Sequence, residues 1–390
     1  MPTWTDADLK SAIEKGMIGG VTLDTSVFDG SDCNLTYKLF TSLHQFSGTG
    51  IQFLLSDVVC GEVKAHIAAR AEAAATKLKA AAREFREAWR INDGDSRIMG
   101  AAGDISDAKN SSEMQMKAYQ DATEFQLLKS SEFVDIDLVL NQYFEPSAPF
   151  SSSAEKKSEF PDAIALNALE AWGEKNKSFV VAVSKDKGWL NFAEQSKWIV
   201  VRGDLRKALG SFNAEDSFVA KSIIAKANSD STIDISKEIL AQIEHFVESL
   251  SPHIVAETGH YYEDEFIGAS VIDVRPINID RVAAVDSDED EILISFDVIV
   301  EIEVEASFTF YVHDEGDSIP FASAEAAQTI ELKLPFTAAV TRDIDDLSVI
   351  DIGIEASSSP NVDFGYVEPD YGDPDYDDED PDAEVGTPDD

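Results

Sequence analysis

Four acidic residues in the first half of the chain fall where side chains could converge on a metal ion. They are Asp24, Glu62, Asp162 and Asp186. Asp24 ends the short apolar run Val21–Leu23, and Asp186 follows the apolar run that begins at Phe179. Glu62 lies in the first turns of one predicted helix, and Asp162 opens another. Because apolar runs of this length predict buried strands, the sequence places these carboxylates at strand ends and helix starts.

Such positions have a shared location in an open parallel sheet. The carboxyl ends of the strands and the neighbouring helix starts form one edge, where ligands bind. Carboxylates that meet there repel one another unless a cation lies between them. Mg²⁺ and Mn²⁺ suit this role because they are hard ions that prefer oxygen ligands. One bound ion can activate water while another steadies a leaving oxygen, so the predicted reaction is phosphodiester hydrolysis.

Each acidic residue also has an ordinary structural interpretation. Asp24 could cap the helix that follows it, and Asp162 could be a favourable charge in a first helical turn. Glu62 could pair with Lys64 or His66. The residues taken one at a time therefore leave the structural and the metal-binding interpretations open. Asp57 is a further acid near this set, and the sequence does not fix the side of the helix that it faces.

The segments that must position these residues alternate between strand and helix. Strands are predicted at 21–23, 51–55, 179–183 and 197–201, and long helices at 58–90 and 112–128. A further helix is predicted to begin near Pro161, since proline suits the first helical turn. This alternation predicts an α/β domain over residues 1–210, with a parallel sheet and covering helices.

The remaining chain is predicted to form three different segments. They are a helical connector over 211–252, an antiparallel β domain over 253–355 and a disordered acidic tail over 356–390. A period-two pattern supports the β domain. Alternate residues from Ile292 to Val300 are apolar, and Glu301, Glu303 and Glu305 share one face. The tail has 13 acidic residues and no Lys or Arg, a composition typical of disorder.

Charge is distributed unevenly between the two halves of the chain. Residues 1–210 hold 24 Lys and Arg against 30 Asp and Glu, whereas the remainder holds 7 against 45. The net charge of −44 for the whole chain therefore does not exclude an anionic substrate for the first half.

Other classes of protein are disfavoured by composition and motifs. Cys33 and Cys60 are too few for a disulfide framework or a zinc site, and the six histidines show no metal-ligand spacing. Signature motifs of zinc hydrolases, Rossmann dehydrogenases and P-loop NTPases do not occur. The N-terminal residues do not read as a signal peptide, and no apolar stretch is long enough to cross a bilayer. We therefore expect a cytoplasmic protein without a membrane partner.

Four motifs, in order, carry a resemblance to a known family. They are "VTLDTSVF" (Val21–Phe28), "LLSDVVCGEVKAHI" (Leu54–Ile67), "FPDAIALNALEAW" (Phe160–Trp172) and "VVAVSKDKGWLNFAEQS" (Val180–Ser196). Together they resemble the motifs of PIN-domain nucleases, in the branch that has a long helical insertion, here at about 68–158. The resemblance covers about residues 20–210.

The resemblance implies a compact α/β fold and Mg²⁺- or Mn²⁺-dependent cleavage of RNA. The acidic residues of the family fall on Asp24, Glu62, Asp162 and Asp186, and Ser184 falls near the site. Among the basic residues beside these acids, Lys157 and Lys185 are candidates for contacting the phosphate backbone, and a surface role for both stays open.

Two alternatives to an RNA-cleaving enzyme stay open at this stage. One is a non-catalytic scaffold of PIN fold whose β domain and acidic tail bind a protein partner. The other is cleavage of DNA, since the metal chemistry does not distinguish the sugars. The acidic half could aid solubility, recruit a basic partner or cover the nuclease groove as a mimic of nucleic acid. The sequence predicts no oligomeric state.

Overall fold

The computed structural model describes seven segments of the chain. They are residues 4–90, 107–150, 157–231, 233–314, 317–342, 347–357 and 359–370. The chain folds into two compact units. The first comprises residues 1–243, 276–298 and 333–357, and the second comprises 244–275, 299–332 and 358–390.

A five-stranded parallel sheet forms the core of the first unit. Its strands are β1 (Ile18–Leu23), β2 (Gln52–Ser56), β3 (Gln126–Leu128), β4 (Phe179–Val183) and β5 (Ile199–Arg202). They lie in the order β3-β2-β1-β4-β5, and every pairing is parallel. The central strands are almost wholly apolar because both of their faces are buried. The predicted α/β fold with a parallel sheet is confirmed.

Helices that follow the strands cover this sheet. They are α1 (Asp6–Glu14), α2 (Thr25–Asp29), α3 (Lys38–Thr41), α4 (Asp57–Ala88), α5 (Ala108–Thr123), α6 (Ser130–Phe133), α7 (Ile136–Phe144), α8 (Phe160–Asn176), α9 (Lys187–Gln195) and α10 (Leu205–Phe212). A 3-10 turn spans Ser42–Phe46. Ser56 caps α4 by accepting a hydrogen bond from the Val59 amide, so α4 begins directly at the end of β2. The fold thus delivers helix starts to the edge where the strands end.

The predicted insertion at about 68–158 contains more than helices. Its described residues include the outer part of α4, then α5, β3, α6 and α7. The predicted helix over 112–128 is too long, because α5 ends at Thr123 and Glu124 takes the left-handed conformation with φ of 54°. The chain then forms β3, which pairs with β2 as an edge strand of the parallel sheet. The insertion is therefore part of the sheet.

One further helix, the first ten residues of a second helix and part of the β region also belong to the first unit. The helices are α11 (Ser217–Ser229) and α12 (Asp234–Glu248), which fall within the predicted connector over 211–252. Strand β8 (Ala283–Ser287) contacts α10 and α11, and its Val285 is fully buried in the core of the parallel sheet. Residues 276–298 thus lie in the same compact unit as the parallel sheet, and Val285 contributes to its core.

The second sheet is antiparallel, as predicted. Strands β7 (Tyr261–Val274), β9 (Glu291–Asp314), β10 (Asp317–Thr341) and β11 (Val349–Ile354) lie in the order β11-β10-β9-β7, and β8 pairs with β9. Along β9, Ile302, Val304 and Ala306 are buried, whereas the intervening Glu301, Glu303 and Glu305 are half-buried or exposed. This alternation gives the sheet the predicted acidic face.

Part of the predicted disordered tail is ordered. Strand β12 (Asn361–Tyr366) pairs in parallel with β6 (His253–Glu257). Along β12, Val362 and Phe364 are buried and alternate with other residues. This pattern is too short to change the acidic overall composition of 356–390, on which the prediction of disorder is based. The end of the predicted tail, 371–390, lies outside the described residues. No helix in the described part of the chain is both long and apolar enough for a bilayer crossing.

Candidate active site

Asp24 is the most buried of the four predicted acids. It follows β1 directly, its side chain is 4% exposed, and its backbone amide donates a hydrogen bond to the carbonyl of Val183 in β4. Two hydroxyl groups donate to its Oδ2 atom, that of Ser26 at 2.5 Å and that of Ser184 at 2.7 Å. The Asp24 side chain makes no hydrogen bond to cap α2, so the simple capping interpretation is not supported.

Ser184 connects Asp24 to Asp186 at the end of β4. Its side chain is fully buried, and its hydroxyl oxygen accepts a hydrogen bond from the Asp186 amide at 2.9 Å while it donates to Asp24. Asp186 caps α9, because its Oδ1 atom accepts from the amides of Gly188 at 2.6 Å and Trp189 at 3.3 Å. The resemblance placed Ser184 near the site, and the geometry shows how it orients two of the acids.

Helices α8 and α4 bring the other two acids to this edge. Asp162 lies in the first turn of α8, and its Oδ1 atom accepts a hydrogen bond from the indole nitrogen of Trp189 at 2.8 Å. Glu62 lies on α4, and its Oε2 atom accepts from the Thr25 hydroxyl at 2.6 Å. Glu62 and Asp162 are half-buried, and Asp186 is exposed. Together with the buried Asp24, the four acids therefore range from buried to solvent-exposed.

The electrostatics show that the four acids share one environment. The pKa of Asp162 is raised to about 6, chiefly by burial and in smaller part by the negative charges of Asp24, Asp186 and Glu62, while the hydrogen bond from Trp189 opposes the rise. Burial also raises the pKa of Asp24, with a smaller contribution from Asp186, against the hydrogen bonds from Ser26 and Ser184. Within the described segments, none of the four has a lysine, arginine or histidine nitrogen within 4.0 Å.

A groove runs beside the outer two acids. Asp162, Asp186 and Lys187 line it, together with Pro149 and Asn191. Lys157 is exposed and lies just before the groove-lining residues that precede α8, and no described contact joins it to the acids. Lys185 is also exposed and lines a separate depression that includes Ser26. The two predicted lysines therefore lie near the cluster but not within it.

Asp57 faces away from the predicted set. Its Oδ2 atom accepts hydrogen bonds from both the amide and the hydroxyl of Ser130, each at 3.0 Å. Asp57 therefore ties the start of α4 to α6 through this oxygen.

Three residues that hold the acids in place escaped sequence analysis. Thr25, Ser26 and Trp189 donate to Glu62, Asp24 and Asp162, respectively. All three lie within the motifs quoted above, but the spacing of a motif does not show which donor meets which carboxylate. The partnership of Trp189 with Asp162 joins residues 27 positions apart.

A second group of ligand-type side chains lies further along α2 and α4. The ligand atoms of Asp29, Cys33 and His66 all lie within 4.8 Å of one another, the one such group of three in the described residues. The four acids are therefore more widely spaced than that, as expected of like charges without a cation between them. Burial, followed by the hydrogen bond to Asp29, raises the pKa of Cys33 to about 12, so its thiol is protonated at neutral pH.

Comparison with known proteins supports the resemblance that the motifs suggested. Comparison with curated proteins and with solved structures gives no significant match. Residues 21–189 match the family model described as the PIN domain. This match runs from the middle of β1 through β4 and includes all four acids of the cluster, and PIN domains have a nuclease-type fold. The match supports membership of the PIN-domain family for the part of the chain from residue 21 to residue 189.

Proposed function

We propose that this chain is a metal-dependent ribonuclease that hydrolyses RNA phosphodiester bonds at Asp24, Glu62, Asp162 and Asp186. One observation carries the proposal. Four carboxylates from four different elements meet at one edge of the sheet, and burial together with the charges of the other three acids raises the pKa of Asp162, with no described cation to offset it. Such an arrangement costs stability, and a bound divalent cation would remove that cost.

The chemistry of the ligand set fits Mg²⁺ or Mn²⁺. All four candidate ligands are carboxylates, the oxygen donors that these hard ions prefer. Among the described residues, hydrogen bonds engage Oε2 of Glu62 and Oδ1 of Asp162 and Asp186, and none is found at the second oxygen of these three groups. Each of the three can therefore keep its hydrogen bond while its other oxygen binds a cation.

Each neighbouring residue has a defined part in this proposal. When bound, a divalent ion lowers the pKa of water and offsets negative charge on the phosphate. Ser184 fixes Asp24 relative to Asp186, and Trp189 fixes the orientation of Asp162. Because protons compete with metal for Asp162 below about pH 6, metal binding and cleavage should weaken in that range.

We assign substrate contacts to the exposed lysines beside the acids. Lys157 and Lys185 would bind phosphates of the RNA backbone, and Lys187 in the groove would add a third contact. Such contacts position the strand without selecting its sequence. Two free cysteines are consistent with the cytoplasmic location that we propose.

The acidic half of the chain is assigned an inhibitory role. It holds 7 basic against 45 acidic residues, so it can compete with RNA for the basic residues of the first half or recruit a basic protein partner. A chain that ends at Asp370 keeps β12 and removes the acidic end. We expect it to cut RNA faster than the full chain at low salt, with the difference fading at high salt. Equal rates at low salt would count against self-inhibition.

Cleavage of labelled nucleic acids tests the proposed function. Single-stranded RNA, duplex RNA and single-stranded DNA are incubated with the full chain and Mn²⁺, Mg²⁺ or EDTA. We expect metal-dependent cleavage of RNA that Asp24→Asn and Asp162→Asn reduce by at least 100-fold. Asp121→Asn, at an exposed site on α5, removes one charge elsewhere and should leave the rate unchanged.

Two results would overturn this proposal. Cleavage that survives in Asp24→Asn, or that EDTA does not stop, would place the activity outside the acid cluster. Absence of cleavage with every substrate, combined with unchanged thermal stability on adding Mn²⁺, would favour the scaffold alternative.

A further inference from the structure

The group formed by Asp29, Cys33 and His66 combines three different ligand types. Asp29 is the last residue of α2, Cys33 follows in the next turn, and His66 lies on α4. The Nδ1 atom of His66 lies 2.7 Å from Oδ1 of Asp29, and the thiol of Cys33 donates to the same oxygen at 3.3 Å. An oxygen, a nitrogen and a sulfur therefore meet at one point.

Regular spacing along the two helices places this group beside the acid cluster. On α4, residues 62, 66 and 70 are spaced by four and share one face. Glu62 bonds to Thr25, His66 to Asp29, and Arg70 to Asp32 at 2.5 Å. Two of these contacts join α4 to α2 and the third joins α4 to the turn that follows α2, and Cys33 takes part in the middle one.

The backbone directs Cys33 toward that middle contact. Asp32 and Cys33 both take the left-handed conformation, with φ of 57° and 53°. This reverses the chain after α2, and the Cys33 amide donates to the carbonyl of Phe28 at 2.8 Å. The Cys33 side chain is buried, whereas those of Asp29 and His66 are 45% and 47% exposed. A ligand bound by all three would be anchored on the buried side and open to water on the other.

We propose that Asp29, Cys33 and His66 bind one transition-metal ion of the Zn²⁺ class. Thiolate, imidazole and carboxylate are the three protein ligand types of Zn²⁺, and three protein ligands leave a fourth position open to water. On binding, the thiol proton of Cys33 passes to solvent as the sulfur–metal contact forms, and the imidazole binds in its neutral form. The all-oxygen acid cluster prefers harder ions, so the two sites select different metals.

This site was excluded by sequence analysis because the cysteines and histidines lack ligand spacing along the chain. Asp29 and Cys33 are four residues apart, but His66 lies 37 residues from Asp29 and reaches it only through the packing of α2 against α4. A metal here would clamp the helix that follows Asp24 to the helix that carries Glu62. The proposal stands independently of the proposed nuclease activity.

Titration of the metal-free full chain with Co²⁺ tests the site. Co²⁺ replaces Zn²⁺ and absorbs light in a way that reports a bound thiolate. We expect a near-ultraviolet sulfur-to-cobalt band that corresponds to one thiolate-bound Co²⁺ per chain. The band should be lost in Cys33→Ser, and His66→Gln should bind this Co²⁺ at least tenfold more weakly. Zn²⁺ should displace the Co²⁺.

Matched controls separate this site from the acid cluster. Cys60→Ser removes the other buried thiol and should retain the band, as should Asp24→Asn. His66 is largely exposed, so His66→Gln is expected to fold even where Cys33→Ser does not. Co²⁺ binding without a thiolate band, or equal affinity in the wild type and His66→Gln, would overturn the proposal and leave the three side chains as a hydrogen-bonded contact.

Discussion

Two buried carboxylates in the first unit, Asp162 and Asp297, differ in the direction of their pKa shifts. Asp297 lies on β9 with a side chain 10% exposed, and it pairs with Arg206 and Lys333, each at 2.9 Å. Burial alone would raise the pKa of Asp297, but the hydrogen bonds and charges of the two cations lower it overall. Asp162 is also buried in part, yet its charged neighbours are acids, and its pKa rises to about 6.

This contrast shows that charge partners decide the direction of the shift once a carboxylate is buried. The pairing of Asp297 is complete within the protein and needs no ligand. The acid cluster lacks a described cation within ion-pair distance, so its charge is balanced only by adding one. The same residue type therefore has a structural role in one place and a proposed catalytic role in the other.

Removing Asp297 should give the largest change in stability. In Asp297→Ala, the buried guanidinium of Arg206, 14% exposed, loses its partner, and we expect the free energy of unfolding to fall by about 3 kcal/mol. Urea denaturation measures this. Asp351→Ala breaks an exposed pair with Lys38 and should cost less than about 1 kcal/mol. Equal losses in the two variants would remove the distinction between buried and exposed pairs.

Neutralising Asp162 should increase the free energy of unfolding of the metal-free protein, the opposite of the loss expected for Asp297→Ala. The folded-state pKa of about 6 lies above the ordinary value of 3.8, so the fold holds this proton more tightly than the unfolded chain does. Stability from this group is therefore present at low pH and is lost as pH rises toward and past 6. In the absence of metal, Asp162→Asn should be more stable than the wild type by about 2 kcal/mol at pH 8, after allowance for partial exposure.

The pH dependence of this gain in stability is a more specific test than its size at a single pH. Thermal unfolding of Asp162→Asn and the wild type should converge as pH falls from 6 to 4, because the wild-type carboxyl is then protonated in both states. A gain that stays constant from pH 4 to pH 8 would show that the charge of Asp162 is not its source.

Removing the Ser184 hydroxyl should disturb two acids together. Ser184→Ala deletes the donor to Asp24 and the acceptor for the Asp186 amide, both in a fully buried setting. We expect a loss of about 1.5 kcal/mol in stability and a reduction of about tenfold in cleavage rate at limiting Mn²⁺. Ser229→Ala, which removes an exposed hydroxyl bonded to a backbone carbonyl, should change neither. Unaltered cleavage in Ser184→Ala would argue that this hydroxyl does not position the acids.

The smallest predicted effect concerns Trp189. Trp189→Phe keeps a buried ring but removes the indole donor to Asp162, which should raise the pKa of that carboxyl further and cost about 1 kcal/mol. The low-pH limb of the cleavage profile should therefore move to higher pH than in the wild type. Trp198 is half-buried and lies directly before β5. Trp198→Phe therefore serves as the control and should leave the pH profile of cleavage unchanged. If the pH profile of cleavage in Trp189→Phe matched that of the wild type, the hydrogen bond from Trp189 to Asp162 would have no influence on the site.

Much of the acid cluster could be predicted because its positions follow from local patterns. Asp24 directly follows an apolar run that predicts a buried strand, Asp186 lies three residues after another such run, and Asp162 comes just after a proline that opens a helix. Parallel strands then deliver these ends to one edge of the sheet. The parallel sheet and the acidic antiparallel sheet were predictable for the same reason.

What could not be predicted depends on contacts between distant residues. Strand β3 has three residues, too few for a periodic pattern, and exists because β2 offers it an edge. Val285 packs into the core of the parallel sheet although it lies far along the chain, beyond the end of the α/β domain at residue 210 that the sequence predicts. The bond from Thr25 to Glu62 and the meeting of Cys33 with His66 likewise depend on the packing of α2 against α4.

Calorimetric titration of the full chain with Mn²⁺ tests the central claim most directly. The claim is that the four carboxylates form a divalent-cation site. At pH 7.5 we predict binding that Asp24→Asn weakens by at least tenfold and that Asp121→Asn and His66→Gln leave unchanged. Affinity should fall as pH drops below about 6, where Asp162 takes up a proton. Mn²⁺ binding that is equal in the wild type and Asp24→Asn would contradict the claim.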